Sequence, residues 1–311
     1  MSGATAVWLP EGRRLHMNHG PIDLVLEAFG PPEERLEAYA QAEMRFRNLL
    51  QELVSELPLL RQAVGERPRK LRFSAARRME IAAARHFPIF VTPMAAVAGA
   101  VADEVLAAMC AGRKLDRAYV NDGGDIAFFL APGESMKAAI AGTGHGFADR
   151  ITINAADPVR GIATSGWRGR SHSLGIADAV TVLAQDGAAA DVAATLIANA
   201  VDLPAHPAIK RVPASQIDPE SDLGDRLVTQ DVGRLTAEEV AAALERGVAV
   251  AHDMARRQLI HSAALFLQAE SRVCGALAIG EGGLYKGPEV REDLVGYSSQ
   301  GQVMKDEDIL P

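Results

Sequence analysis

Three short stretches of this chain combine hard oxygen donors with small residues. In the first, Asn121-Asp122-Gly123-Gly124-Asp125, two carboxylates flank a glycine pair. Glycines leaving a strand permit positive φ and expose backbone N–H groups, which suits an anionic phosphate. Asp125 then offers a carboxylate to a metal ion or a ribose hydroxyl. The same residues also spell a plain hairpin turn. The second, Gly161-Ile162-Ala163-Thr164-Ser165-Gly166, reads as a loop and is followed by Arg168, Arg170 and His172. Hydroxyls and amides from Thr164, Ser165 and Gly166 fit a phosphate or pyrophosphate. The arginines add charge-assisted bonds, and His172 can act as acid or base near neutral pH. The competing reading is a polar loop with solvated arginines. The flanks of Ser165 do not spell Gly-x-Ser-x-Gly, which argues against a hydrolase nucleophile.

The third pairs Asp191 with Thr195, four residues apart on an expected helix, so carboxylate and hydroxyl share one face. Their neighbours are Ala, Val, Leu and Ile. A bare carboxylate there is costly unless paired, capped or metal-bound. Hard oxygen ligands of this kind suit Mg²⁺ or Ca²⁺, with carbonyls and ligand phosphates completing the shell. The alternative is an aspartate serving its own helix dipole.

The elements that must hold these residues follow from periodicity and breakers. Alternation over 13–29 around Asn18-His19-Gly20-Pro21 predicts a hairpin, whose geometry points His16 and His19 to different faces. Helices are expected at 32–61 and 74–86, with a basic stretch at 67–72 between them. Thr92-Pro93 is an N-cap and N1 pair opening a third helix that ends near Gly112. Its apolar stripe is Met94, Val97, Val101, Val105 and Met109, with Ala and Gly alongside permitting close backbone approach. Strands are expected at 118–120, 126–130, 136–141, 151–154 and 179–184, then a helix at 188–201. Pro204, Pro207, Pro213 and Pro219 mark a linker to about residue 227. A helix at 236–257, strands at 262–268 and 272–279 and a loose tail follow.

Composition narrows the function classes. The chain has 311 residues, 48% hydrophobic and 23% charged, which is ordinary for a globular protein. Its net charge of −8 argues against a nucleic-acid surface. Cys110 and Cys274 form no CxxC pair, so neither a structural zinc site nor a thioredoxin-like motif is expected. The start lacks an apolar leader, and the weakly polar stretch 90–101 is shorter than a bilayer span. A cytoplasmic protein with no membrane partner is the expectation.

Taken in order, Asn-x-Gly-Gly-Asp, Ala-Thr-Ser-Gly, Ser-His and Ala-Asp-x-x-x-Thr resemble the ApbE flavin transferases. Ala102-Asp103 is similar to that family's Gly-x-x-x-Asp segment. The stretch 217–229 resembles the ApbE-like family known as UPF0280. The resemblance implies an α+β fold related to the tunnelling (T-fold) proteins, with mixed or antiparallel sheets packed with helices. It implies one domain over 1–311, with a motif-bearing core at 90–203, an extension at 204–285 and a tail at 286–311. It also implies FAD or FMN and Mg²⁺. Residue by residue, Asp191 and Thr195 match the magnesium ligands. Asn121, Gly123, Gly124 and Asp125 match the flavin-nucleotide loop, Thr164, Ser165 and Gly166 the flavin site, and His172 the acid/base position. The sequence departs from the transferases after His172, where Ser173-Leu174-Gly175 runs almost directly into a strand.

The expected function is therefore binding of a flavin nucleotide with Mg²⁺, with cleavage or transfer at the FAD pyrophosphate. The alternative is a non-catalytic accessory protein holding a flavin or small heteroaromatic ring. A third reading is a metal-dependent enzyme acting on such a ring. The expected partner is a small-molecule nucleotide. The Ala/Gly-rich helix and a sheet edge are compatible with a homodimer.

Overall fold

Several strand-like runs, Ala179–Ala184 and Ser262–Leu267 above all, are apolar or small at nearly every position rather than every second one. That is the pattern of strands covered on both faces. The computed structural model, which describes residues 3–139, 150–275 and 294–295, bears this out. Its elements are β1 (Thr5–Trp8), β2 (Leu15–His19), β3 (Ile22–Phe29), α1 (Pro32–Leu60), α2 (Ser74–Ala84), a 3₁₀ turn (Pro93–Ala96), α3 (Val97–Cys110), β4 (Arg117–Asp122), β5 (Asp125–Leu130), β6 (Ser135–Ala139) and β7 (Arg150–Asn154). They continue with β8 (Gly161–Ser165), β9 (Ala179–Ala184), α4 (Gly187–Ala200), β10 (Ile209–Pro213), α5 (Ala214–Ile217), β11 (Leu227–Val232), α6 (Ala237–Arg256), β12 (Ser262–Leu267) and β13 (Glu270–Gly275). The fold class is α+β.

Nine strands form one sheet in the order β1-β2-β3-β4-β5-β8-β9-β12-β13, every neighbouring pair antiparallel. Period-two alternation divides its side chains between two cores. Ala118, Val120, Ala127, Ala163, Val180, Val182, Ala263 and Leu265 face the helices. Tyr119, Ile126, Phe128, Ile162, Leu183, Ala264 and Phe266 face the other way, where the β6–β7 hairpin covers them with Met136, Ala138 and Ile153. Two-sided burial explains the nearly unbroken apolar runs.

On the helical side, α3 packs on β4 and β5, α4 on β8 and β9, and α6 on β12 and β13. Helix α1 lies across α3. The segment Pro93–Cys110 is apolar enough in length and composition to cross a bilayer. In this fold it is a core helix, with Val101, Val105 and Met109 fully buried. The small residues of α3 and α4 allow their backbones to touch. A Cβ on Gly99 would lie 2.1 Å from the Gly187 carbonyl oxygen, and one on Gly161 would lie 2.0 Å from that of Asp186.

The structure corrects several expectations. Gly161–Ser165 is a central strand, not a loop, because Gly161 and Ala163 are small enough to seat α4 directly on the sheet. The expected linker contains β10 and the single turn α5, with β10 pairing antiparallel to β11. Pro213 fits at the end of a strand in that two-stranded sheet, where a missing N–H breaks no ladder on its free side. The third helix opens with a 3₁₀ turn before α3 proper, and Thr92 caps it through Met94 N. The strand expected over 136–141 covers Ser135–Ala139, and residues 140–141 lie outside the described residues. That expected over 272–279 is Glu270–Gly275, with 276–279 outside. The expected tail also lies outside, apart from Leu294–Val295, which pairs parallel to β6.

Gly99→Ala would force α3 and α4 apart against rigid backbone and is expected to cost about 3 kcal/mol in urea unfolding. Gly65→Ala is the control, since a Cβ there meets nothing within 4 Å. It should change stability by less than about 0.5 kcal/mol.

Candidate functional site

Strands β5 and β8 pair at Ile126–Ile162 and Ala127–Gly161 and then part. Past that point the backbone needs other partners. The Thr164 amide donates to Asp125 Oδ1 at 3.2 Å, so a carboxylate replaces the ladder where the strands separate. The Thr164 hydroxyl meets that of Thr181 on β9 at 2.9 Å.

The β4–β5 connection is a two-residue turn through Gly123 (φ +64°) and Gly124 (φ +115°), with Asp122 directly opposite Asp125. Both glycines adopt the left-handed conformations a primed hairpin turn requires. Asn121, buried, accepts the Gly124 amide at 2.8 Å, so its Oδ1 closes the turn. The hairpin and the ligand-loop readings of this motif therefore describe the same object: a tight turn with a carboxylate at each end.

Asp191 reaches this place from α4. Its Oδ2 accepts the Gly99 amide of the first turn of α3 at 3.0 Å. The helix dipole it serves is that of α3 rather than its own. The reciprocal bonds run from Gly187 N and Ala188 N, at the start of α4, to the two oxygens of Asp103 on α3, both at 2.9 Å. Asp186 completes the α4 cap through Ala189 N at 2.7 Å. Asp103 was legible only through its family resemblance; its structural task is to cap the neighbouring helix.

Electrostatics binds Asp122, Asp125 and Asp191 into one cluster. Burial, then the charge of Asp125, pushes Asp122 up to about 8, with the Asp23 amide and Arg170 offsetting part of the shift. Burial and the Asp125 charge also raise Asp191 well above the ordinary carboxylate range, the Gly99 and Ala98 amides pulling the other way. Burial raises Asp125, opposed by the Thr164 amide and Arg170. Like charges directly opposite on paired strands are unfavourable, so the apo site favours protons on this cluster.

Thr195 is half-buried on the Asp191 face of α4, and its hydroxyl has no hydrogen-bond partner among the described residues. The carboxylates of Asp125 and Asp191 likewise have no Lys or Arg in ion-pair contact among them. Two carboxylates and a free hydroxyl are a fitting donor set for Mg²⁺, which takes one or two protein carboxylates and completes its shell with water and phosphate oxygens. Among the described residues no three His, Cys, Asp or Glu side chains are grouped to hold a metal alone. Any ion here would thus depend on a ligand's oxygens.

The segment after β8 is fixed by a residue that sequence reading passed over. Asp178 Oδ1 accepts from Trp167 Nε1 at 3.1 Å and Arg168 Nε at 2.8 Å, and Oδ2 accepts from Gln268 N at 2.5 Å. Gly166 sits against the Asp178 carbonyl, 2.4 Å from where a Cβ would be. The Arg168 guanidinium lies 4.6 Å over the Trp167 ring, which occupies a face otherwise able to stack on a ligand. Ser165 and His172 are half-buried, and their side chains have no hydrogen-bond partner among the described residues. The two cysteines are free and separate, as expected.

A family model described as AbpE bacteria matches residues 6–276. The chain belongs to that family. Among curated relatives, the UPF0280 protein of Methanothrix thermoacetophila is 41% identical over 113 residues, covering 36% of this chain and 46% of that protein. The UPF0280 protein of Methanococcoides burtonii is 37% identical over 118 residues, covering 36% and 47%. The matched stretch thus spans about half the length of these curated relatives. Among solved structures, the apo flavinyl transferase ApbE of Pseudomonas stutzeri aligns over 87% of this chain and 93% of its own, with 12% identity and a TM-score of 0.40.

The raised carboxylates set a pH dependence. The folded chain keeps the Asp122 proton to about pH 8, whereas an unfolded aspartate releases it near pH 4. The folded state binds more protons across that window, so stability falls as pH rises through it. Urea unfolding in metal-free buffer should give a lower midpoint at about pH 8 than at about pH 5. Asp122→Asn should flatten that difference.

Proposed function

We propose that this AbpE-family chain binds a flavin dinucleotide together with Mg²⁺ and acts at the pyrophosphate. The observation that carries this reading is that Asp125, at the end of a glycine turn, and Asp191, from a helix, lie within electrostatic reach of each other, with the Thr195 hydroxyl one helical turn from Asp191. Membership of the family supports it. So does the resemblance of its ordered motifs, Asn-x-Gly-Gly-Asp, Ala-Thr-Ser-Gly and Ala-Asp-x-x-x-Thr, to those of the ApbE flavin transferases.

Asp125, Asp191 and Thr195 would hold the ion, which when bound supplies charge screening for a pyrophosphate. The exposed Gly123 backbone and Arg170 orient phosphate oxygens. Thr164, Ser165 and Gly166 line the approach to the flavin. An acceptor hydroxyl, from water or from a protein side chain, attacks the phosphorus on the FMN side. The bond to the AMP oxygen breaks, and AMP leaves with the electron pair. His172 takes the acceptor's proton.

Calorimetry with FAD and Mg²⁺, and chromatography for FMN and AMP, test this directly. Asp191→Asn keeps an acceptor for the Gly99 amide but removes the charge. It should weaken Mg²⁺-dependent FAD binding by roughly tenfold or more while the fold survives. Equal binding by wild type and variant would overturn the site assignment.

A second reading is a non-catalytic flavin- or heteroaromatic-binding protein on the same site. It is favoured by the lack of any side-chain partner to orient His172 among the described residues and by the short run from His172 to β9. Tight FAD binding with no FMN or AMP release would select it.

A further inference from the structure

Arg170 has a place in the site that neither its exposure nor its sequence neighbours predict. It follows the stalk pinned by Asp178 and is itself exposed. The tip of its guanidinium nonetheless lies against the glycine turn, and a Cβ on Gly123 would fall 1.9 Å from Nη2 and 3.0 Å from Cζ. Gly123 is required for its φ of +64°, and the guanidinium occupies the space that its missing side chain leaves. Arg170 makes no hydrogen bond or close ion pair among the described residues. It therefore acts on Asp122 and Asp125 through space, and its positive charge is the one that opposes their burial. An exposed, hydrogen-bond-free guanidinium is held weakly and is free to move.

The geometry points to Arg170 as the internal counter-cation of the carboxylate cluster, which yields its place to Mg²⁺ and takes a nucleotide phosphate instead. This rests on the flavin–Mg²⁺ reading above. A fixed positive charge beside two carboxylates disfavours a second cation there. A guanidinium released from that position, still anchored by its stalk at the turn, is a phosphate clamp. One side chain then couples the two ligands: it weakens Mg²⁺ binding to the empty site and strengthens nucleotide binding to the loaded one.

The test is calorimetry of MgCl₂ alone, then of FAD at saturating Mg²⁺, on wild type, Arg170→Gln and Arg170→Lys. Arg170→Gln should bind Mg²⁺ alone roughly tenfold more tightly and FAD roughly tenfold more weakly, two changes of opposite sign. Arg170→Lys should match wild type for Mg²⁺ and fall between the two for FAD. A merely structural arginine would move both affinities the same way or neither. If wild type binds both ligands and Arg170→Gln binds Mg²⁺ no more tightly, or FAD no more weakly, Arg170 does not have this role and the flavin reading stands. If wild type binds neither Mg²⁺ nor FAD, both fail together.

Discussion

Helices α3 and α4 touch backbone to backbone at Gly99 and Gly187, and each supplies an aspartate to the other's amide end. Asp103 takes the Gly187 and Ala188 amides, and Asp191 takes that of Gly99. Each such cap is worth about 1 kcal/mol. Their larger consequence is positional. Asp191 lies between apolar helices, where an uncapped carboxylate would be costly, and the amide end of α3 makes its position tenable. With the Gly99 amide on one oxygen, the rest of its carboxylate is brought within electrostatic reach of Asp125, on a different layer of the molecule.

The sheet prepares the other half of that meeting. Beyond Ile126 and Ile162 the β5–β8 ladder stops, and Asp125 satisfies a backbone amide that a continuous ladder would have used. Asp122, Asp125 and Asp191 then lie within electrostatic reach of one another with no Lys or Arg in ion-pair contact among the described residues, and burial raises all three above the ordinary carboxylate range. Such a cluster does not by itself stabilise the fold. Its cost is accepted elsewhere, in two-sided burial of the sheet and close packing of the small-residue helices, and it is relieved by protons or by a cation. Perturbed carboxylates of this kind concentrate at functional sites.

Long periodic elements were plainly legible. The expected helices at 32–61, 188–201 and 236–257 match α1, α4 and α6 to within one residue at each end. The hairpin at 13–29, the Asp-Gly-Gly-Asp turn and the Thr92 cap read true because each is set by local φ preference or a neighbouring amide. Strand β8 was misread because Gly, Ala, Thr and Ser look like a loop when nothing marks what lies above them. Here they are small because α4 rests on them. The ring of Trp167, a residue type suited to stacking on a ligand, is covered by Arg168. Asp178, which pins both, carries no local signal, because its donors lie ten or more residues away, at the other end of the β8–β9 connection and at Gln268.

By itself the sequence determined the helices, the two-faced strands, the glycine turn with flanking aspartates and the family. These follow from spacing and residue type within a few positions of chain. Tertiary structure decided which of the aspartates meet. Asp103 and Asp191 look alike in sequence, each an acid in an Ala-rich helix. Both accept amides from the neighbouring helix, but Asp103 feels the charge of Asp186 at the head of α4, while Asp191 feels that of Asp125 in the turn of the sheet. That difference depends on how two helices cross over a sheet that parts beneath them, a relation between residues some ninety positions apart that no local pattern encodes.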